Sequence, residues 1–260
     1  EARLAAAGAV ALAVCPVFLF TSFQPMSDTL AGTWCLAAVW AALRARRRAG
    51  WSAACGAAFA VAVLVRPTNL FLLPALLVLL GLDWRRLALA TLGGLPGVAW
   101  LIFYNHALYG GAFQSGYGEW QIFFGWMWVP QTVWHFTKWL AVMLPTPLLL
   151  LPFAAFARRS TRTRHLLALV LWFSAITGFY AFYKVSHEVW WCLRFIAPAL
   201  PPLILMGLLG IEALAQRRPG PGADRVRGWA ALTLAIWAIG AAVFWNHYYA
   251  IPEIKNGEKI

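Results

Sequence analysis

Residues 51–82, WSAACGAAFAVAVLVRPTNLFLLPALLVLLGL, decide how this chain is threaded. The stretch is too long for one ordinary membrane span, since about 20 residues cross a hydrocarbon core of about 30 Å. Only the segment Arg66-Pro67-Thr68-Asn69 interrupts it. Two short helices that turn at this segment would return the chain to the side where it started, whereas a single span would carry it across.

Clusters of arginine on both sides of this stretch distinguish the two threadings. They stand in short runs between apolar runs, at Arg44, Arg46, Arg47 and Arg48, at Arg85 and Arg86, at Arg158, Arg159, Arg162 and Arg164, and at Arg217, Arg218, Arg225 and Arg227. Only the two-helix threading puts every cluster on one side of a membrane, and the positive-inside rule makes that side cytoplasmic. The basic residues on the opposite side are Arg66, Lys138, Lys184, Arg194, Lys255 and Lys259.

The composition is that of an integral membrane protein. Hydrophobic residues make up 62% of the chain, charged residues make up 12%, and the mean hydropathy is +0.68. A soluble domain has about 45–50% apolar residues. Alternating polarity is absent, so helices rather than barrel strands are expected. With the two short helices, the apolar runs predict an all-α transmembrane helix bundle of about nine spans, the others at residues 4–20, 29–43, 87–104, 139–157, 166–183, 195–214 and 229–245.

The positive charge follows this topology. The formal net charge of +12 is divided among short loops, so nucleic acid is not an expected partner. We expect a single membrane domain over residues 1–260, with the N-terminus inside, a long outer loop at 104–138, a cytoplasmic linker at 215–228 and an outer C-terminal tail. Because the chain begins at Glu1 without a methionine, we also expect it to be a fragment that lacks upstream spans.

The outer loop at 104–138 offers the polar groups that a hydroxyl-rich ligand needs. Its glycine-rich first half contains Asn105, His106, Gln114, Tyr117 and Glu119. Closely spaced glycines permit tight turns, and amide, hydroxyl and carboxyl groups supply both donors and acceptors. One interpretation is a site for a sugar or an acceptor, and the other is an ordinary interfacial loop.

Asp28 and Arg66 are charged residues at the outer ends of predicted spans. Asp28 directly precedes the second span, where a carboxylate either stabilises the start of a helix or acts as a base beside an outward cavity. Arg66 lies at the turn between the two short helices, where a guanidinium either anchors the interface or binds a lipid phosphate through its forked donors. The residues alone leave these alternatives open.

A second outer cluster contains Lys184, His187, Glu188 and Arg194. This group could bind a phosphorylated headgroup, or Glu188 could pair with Arg194 in a polar rim. The outer histidines and the cysteines have no spacing typical of a metal site or a disulfide framework, so no metal or other cofactor is indicated. The tryptophans near the expected interfaces favour an aromatic belt.

Four segments, taken in order, resemble the bacterial polyprenyl-phosphate-sugar-dependent glycosyltransferases of the GT-C superfamily. That group is related to protein O-mannosyltransferases and to lipid A aminoarabinose transferases. The segments are Pro25-Met26-Ser27-Asp28, Arg66-Pro67-Thr68-Asn69, the Tyr-Gly-Gly and Ser-Gly-Tyr-Gly elements within residues 105–118, and WWCLRFIAPALP at residues 190–201. The resemblance extends over nearly the whole chain, and it is specific for the superfamily rather than for a substrate.

The resemblance implies transfer of a sugar from a polyprenyl-phosphate donor to a lipid, glycan or protein acceptor at the non-cytoplasmic side of a bacterial plasma membrane. By position it implies that Asp28 is a site carboxylate and that Arg66, Lys184 and Arg194 bind the donor phosphate. Glu119 is a second candidate catalytic carboxylate. The acidic residue of the family's first external loop would precede Glu1, so this fragment is expected to be inactive by itself. A polytopic transporter or lipid flippase, and a non-catalytic membrane assembly subunit, are the alternatives.

Overall fold

The computed structural model of the chain describes residues 2–24, 26–114, 120–156, 163–218 and 220–250. These residues are mostly helical and contain no strand. Their α-helices are α1 (Ala2–Ala13), α2 (Pro16–Phe23), α3 (Asp28–Ala45), α4 (Trp51–Val65), α5 (Leu73–Leu80), α6 (Trp84–Tyr109), α7 (Val129–Met143), α8 (Thr146–Leu150), α9 (Pro152–Phe156), α10 (Thr163–Ala181), α11 (Leu200–Ala215) and α12 (Pro221–Trp245). Shorter 3₁₀-helices lie at Pro67–Leu72, Trp120–Phe123, Trp126–Trp128, Lys184–His187 and Trp190–Ala199, and a π-helical turn lies at Asn246–Ala250.

Four helical segments of the described chain are long and apolar enough to cross a membrane, namely Trp84–Tyr109, Thr163–Ala181, Trp190–Ala215 and Pro221–Tyr248. Helices α1 and α2 add a fifth if their bent pair crosses as one unit. The prediction of an all-α protein whose helices include some long and apolar enough to span a membrane is confirmed. The count of about nine spans stays a prediction.

The chain breaks at Arg66, as the sequence predicted. Helix α4 ends at Val65, Arg66 is extended with φ −152° and ψ 108°, and a 3₁₀-helix begins at Pro67. Because proline disfavours helical backbone in the residue before it, Pro67 favours the extended conformation of Arg66. Two short apolar segments, α4 and Pro67–Leu80, therefore replace one long helix.

Two predicted spans differ from the structure because prolines interrupt them. The run at 4–20 bends by 55° between α1 and α2, where Pro16 begins α2. The run at 139–157 is divided among α7, α8 and α9, with Pro145 just before α8 and Pro152 at the start of α9. Proline lacks the N–H that continues a helix, and its ring crowds the preceding turn. Hydropathy alone therefore overestimated the continuity of both runs.

Helices also extend into the two segments that were predicted as loops. Helix α6 continues past the start of the predicted outer loop at 104–138, and α7 begins before its end. Gly110 ends α6 in the left-handed conformation at φ 79°, which glycine adopts without steric strain. Helix α12 begins at Pro221, inside the predicted linker at 215–228, because proline is well tolerated in the first turn of a helix.

Helices α3 and α4 pack side by side with different chemistry at their two ends. At one end, the Arg44 guanidinium lies 4.4 Å from the ring centre of Trp40 and 5.6 Å from that of Trp51. At the other end, Asp28 forms an ion pair with Arg66. The two helices therefore run in opposite directions.

The segment Pro67–Leu80 and helix α10 also have an arginine at one shared end and an aromatic side chain at the other. Arg164, in the first turn of α10, donates to the carbonyl groups of Val78 and Leu79. Near the other end of α10, Tyr180 is hydrogen-bonded to Thr68. We name the two ends of the bundle by these residues. The arginine end holds Arg44, Arg86 and Arg164, and the aromatic end holds Asp28, Arg66, Tyr180 and Phe195.

Helix α6 lies at the side of the bundle, and none of its residues is buried. It packs along α4, where Gly93 faces the backbone of Ala53 and Gly56 faces that of Ala90. These contacts are so close that an added Cβ atom would overlap the facing carbonyl group. Small residues allow the backbones of two membrane helices to approach in this way.

Candidate functional site at the aromatic end

Asp28 and Arg66 form an ion pair at the aromatic end of the bundle. Asp28 is the first residue of α3, and Arg66 is the extended residue that follows α4. The Asp28 side chain is 6% exposed and the Arg66 side chain is 14% exposed. A carboxylate at this depth needs a partner, because removing an unpaired charge from water is costly. The pair supplies that partner and joins the start of α3 to the end of α4.

The guanidinium group of Arg66 also lies beside two aromatic rings. Its carbon atom is 5.6 Å from the ring centre of Tyr180 and 5.5 Å from that of Phe195. The two rings are stacked on each other, with 5.3 Å between their centres. The hydroxyl groups of Tyr180 and Thr68 are joined by a hydrogen bond of 2.9 Å. These contacts hold the Arg66 guanidinium beside the two stacked rings.

Arg194 brings a second guanidinium group to the same rings. Its central carbon lies 5.3 Å from the ring centre of Phe195 and 4.7 Å from that of Trp191. Its Nη1 donates to the thioether sulfur of Met26 at 3.0 Å, and thioethers are weak acceptors. Its Nε is buried and has no hydrogen-bond partner within the described residues. Two guanidinium groups thus lie against Phe195, and of the two only Arg66 is paired with a carboxylate in the described residues.

An apolar groove of about 390 Å³ opens beside Arg66. Its walls are mostly aromatic, and the lining residues are Arg66, Pro67, Thr68, Leu70, Phe71, Phe123, Phe124, Phe179, Tyr180, Tyr183 and Phe195. The segment after residue 119 contributes Phe123 and Phe124 to this groove. It is held there by a hydrogen bond of 3.0 Å from the Gly125 N–H to the carbonyl of Phe182. The groove therefore joins an aromatic wall to the guanidinium group of Arg66.

A second polar cluster lies next to this groove, around Trp128. The His187 ring is stacked on Trp128 with 5.7 Å between the ring centres, and the Lys184 ammonium lies 5.5 Å from the same ring. The His187 Nδ1 atom is 3.5 Å from the hydroxyl of Thr132. Lys184 and Glu188 are exposed. The pair between Glu188 and Arg194 that the sequence allowed is not formed in the described part of the chain.

His135 is the buried member of this neighbourhood. Its Nε2 atom has no partner within the described residues. Burial lowers the pKa of His135 to about 4, with a smaller contribution from the nearby His187. The imidazole is therefore neutral near pH 7.

The predicted acceptor residues on α6 and its following turn do not join these clusters. The Asn105 side chain donates to the carbonyl of Ala112 at 3.1 Å, which closes the turn after α6. His106 and Gln114 are exposed near that turn. Tyr117 and Glu119 lie outside the described residues.

Two site residues were not singled out from the sequence. Tyr180 and Tyr183 lie inside the apolar run at 166–183, which was interpreted only as a span. Their three-residue spacing is typical of one helix face and was the available signal. In the structure Tyr180 lies in the last turn of α10, whereas Tyr183 lies just beyond its end with an extended backbone. The structure therefore brings together Asp28, Arg66 and Arg194 from the prediction, adds the two tyrosines, and places Lys184 and His187 in the adjacent cluster.

A larger cavity, of about 520 Å³, lies at the arginine end. It is apolar except for His165 and Glu212. The Glu212 carboxylate already accepts two hydrogen bonds from Arg227, at 2.9 and 2.7 Å, and one from Gln216. Its charge is thus neutralised within the protein. The groove at the aromatic end is lined by Phe195, and Arg194 packs against that ring without a carboxylate partner among the described residues. This groove is therefore the better candidate site.

The described residues contain no group of three or more His, Cys, Asp or Glu side chains that could hold a metal ion. The chain matches no protein-family model, no curated protein and no solved structure at a significant level.

Proposed function

We propose that this chain belongs to an integral membrane glycosyltransferase that moves a sugar from a polyprenyl-phosphate donor to a lipid, glycan or protein acceptor. The observation that carries the proposal is the groove at the aromatic end, where an aromatic-lined channel leads to the Arg66 guanidinium. A polyprenyl phosphate has the matching amphipathic form, with a long apolar chain and an anionic head. Guanidinium groups bind such phosphates through paired, charge-assisted hydrogen bonds.

In the proposed reaction, an oxygen or nitrogen atom of the acceptor forms a bond to the anomeric carbon of the sugar. The bond from that carbon to the phosphate oxygen breaks, and its electron pair leaves with the phosphate. Arg66, Arg194 and Lys184 are proposed to stabilise the departing phosphate, and a carboxylate, Asp28 or Glu119, to take the acceptor's proton. His187 and Glu188 are proposed to bind the acceptor or the sugar beside the groove. For Asn105, His106, Gln114 and Tyr117 the same role stays a prediction from the sequence, and none of the first three lines the groove.

The proposed location is a bacterial plasma membrane with the aromatic end facing outward. Arg44, Arg86 and Arg164 support this orientation, because they lie at the opposite end of the bundle and basic residues favour the cytoplasmic side. The membrane lipids are then the immediate surroundings of the groove. No metal or other cofactor is part of the proposal.

Sugar transfer by the intact gene product in liposomes tests the proposal. Labelled polyprenyl-phosphate sugars are supplied, and the labelled acceptor is measured for the unaltered protein and for Arg66→Ala. Arg86→Ala is the control, because it removes an arginine at the other end of the bundle. The proposal predicts transfer that Arg66→Ala reduces at least about tenfold and that Arg86→Ala leaves intact. No transfer of any supplied sugar, or undiminished transfer by Arg66→Ala, contradicts it.

Transport of a lipid phosphate is the second candidate function. The buried pair of Asp28 and Arg66 lies at a break between helical segments, and transporters use broken helices to hold charged ligands. The same liposomes separate the two functions. Movement of the labelled donor across the bilayer with no labelled acceptor would favour transport.

A further inference from the structure

We infer that Asp28 is an internal counter-ion that the phosphate of the ligand displaces from Arg66. The inference rests on the proposed function and adds how the same site exchanges one anion for another. Two features of the aromatic end support it: the shared position of Arg66 and the weak partner of Arg194.

Arg66 is in contact with both Asp28 and the groove. Its guanidinium pairs with Asp28, and the same side chain lines the groove. Asp28 is buried and is not among the residues that line the groove. An anion that enters along the aromatic walls therefore reaches Arg66 from a side that Asp28 does not cover. The carboxylate and the phosphate then compete for one cation.

Repulsion between the two anions drives this competition. The sugar-linked donor phosphate is a diester with one negative charge, as the carboxylate has, whereas the polyprenyl monophosphate that remains after transfer carries about −1.5 to −2 charges near pH 7. Two anions held at one guanidinium repel each other. Phosphate binding is therefore accompanied by loss of the Asp28–Arg66 contact, and the energy of that lost contact lowers the affinity for the ligand.

Arg194 gives the incoming phosphate a second contact. Its Nε is buried without a partner among the described residues, and its Nη1 donates only to the Met26 thioether. A buried donor without a good acceptor is costly, so a phosphate oxygen that reaches Arg194 relieves this cost. Because Arg66 and Arg194 both lie against the Phe195 ring, one phosphate group is expected to bridge them.

This exchange implies an order of events. The Asp28 carboxylate is neutralised by Arg66 until the donor phosphate arrives, and it is free to accept a proton only afterwards. The donor is therefore expected to bind before the acceptor reacts.

The test measures binding of a polyprenyl monophosphate without a sugar to the intact protein in nanodiscs of zwitterionic lipid. Asp28→Asn is expected to bind the probe about tenfold more tightly than the unaltered protein, since the competing charge is gone. In an Arg66→Gln background, Asp28→Asn is expected to have no such effect, because the contested cation is absent. Asp83→Asn is the matched control. It makes the same charge change near the arginine end and keeps a side chain that caps α6.

The outcomes separate the two proposals. If the unaltered protein does not bind the probe, the proposed function fails and takes the inference with it. If it binds the probe but Asp28→Asn binds equally or more weakly, the inference alone is overturned. A tighter Asp28→Asn that is matched by Asp83→Asn also overturns the inference, because the effect is then one of overall charge.

A spectroscopic measurement covers the case in which Asp28→Asn fails to fold. The protein is labelled with ¹³C at its aspartate carboxyl groups, and the aspartates of this chain are Asp28, Asp83 and Asp224. Adding the probe is expected to move the Asp28 resonance and to leave the other two unchanged. A bound probe with no change at Asp28 overturns the inference.

Discussion

Asp28 and Arg66 meet in an ion pair that neither helix could form alone. Asp28 begins α3, Arg66 follows α4, and both side chains are largely withdrawn from solvent. The pair lies at the bundle end that is rich in aromatic rings, and it holds the extended residue that separates the two short helices.

Removing one partner of this pair is expected to destabilise the protein strongly. Arg66→Ala leaves the Asp28 carboxylate buried without a cation, which typically costs about 3–5 kcal/mol. The combined variant Asp28→Asn with Arg66→Gln is expected to recover much of this loss, because neither of the two side chains is then charged. The unfolding free energy in detergent is the measurement. The control is Arg86→Ala, whose partner Asp83 is 42% exposed, so a loss within about 1 kcal/mol is expected. Equal losses for Arg66→Ala and Arg86→Ala contradict the prediction.

Arg194 is expected to contribute directly to phosphate binding. Arg194→Gln removes the guanidinium next to Phe195 and should weaken binding of a polyprenyl monophosphate about tenfold. Arg194→Lys keeps the charge but loses the planar fork and the ring contacts, so an intermediate affinity is expected. Met26→Leu serves as the control because it removes only the weak sulfur acceptor. Equal affinity in Arg194→Gln and the unaltered protein argues against a phosphate contact.

The hydroxyl of Tyr180 is expected to stabilise the turn after Arg66. Tyr180→Phe removes its hydrogen bond to Thr68 but keeps the ring that stacks on Phe195. A loss of about 1 kcal/mol in unfolding free energy is therefore expected, whereas Tyr180→Ala should lose about 3–5 kcal/mol because the ring is also removed. Tyr248→Phe is the matched control, since Tyr248 is 61% exposed. If Tyr180→Phe and Tyr248→Phe lose the same unfolding free energy, the Tyr180 hydroxyl does not stabilise the turn.

The break at Arg66 could be predicted from the sequence, whereas its pairing could not. The interruption at Arg66-Pro67-Thr68-Asn69 and the surrounding arginine clusters indicated two short helices, and the structure has them. Proline also marks breaks at Pro16, Pro145 and Pro152, where the hydropathy of the run predicted continuous spans. Tertiary packing decides which helix ends meet, so the pairing of Asp28 with Arg66 has no local signal in one sequence.

The contribution of Tyr180 to the site could not be predicted from the sequence, for a related reason. A tyrosine within an apolar run contributes ring surface whether it faces lipid, core or groove, and hydropathy does not distinguish these surroundings. Only the packing of α10 against Pro67–Leu72 turns its hydroxyl toward Thr68.

The contact between α6 and α4 is expected to tolerate no side chain at Gly93. A Cβ atom there would overlap the backbone of Ala53, so Gly93→Ala should force the helices apart and lower the unfolding free energy by about 1–3 kcal/mol. Gly240→Ala is the matched control in α12, because nothing lies within 4 Å of its added Cβ atom. Alanine is the better helix former, so this control should be neutral or stabilising. The same effect at both glycines would refute close packing at Gly93.

The stability of the protein is expected to fall in mild acid because of His135. The pKa of His135 is lowered to about 4, chiefly by burial and secondarily by His187 and Lys138, whereas an unfolded histidine titrates near about 6.5. Between these values the unfolded chain binds a proton that the folded chain does not. The unfolding free energy therefore decreases as the pH falls from about 6.5 to about 4, by up to about 3 kcal/mol.

His135→Gln is expected to flatten this part of the pH dependence when unfolding is followed in detergent across the range. His165→Gln is the control, because His165 is exposed, and its curve should follow that of the unaltered protein. If His135→Gln keeps the full decrease, other groups cause it. If the unaltered protein is equally stable at both ends of the range, His135 binds its proton as readily in the folded chain as in the unfolded one.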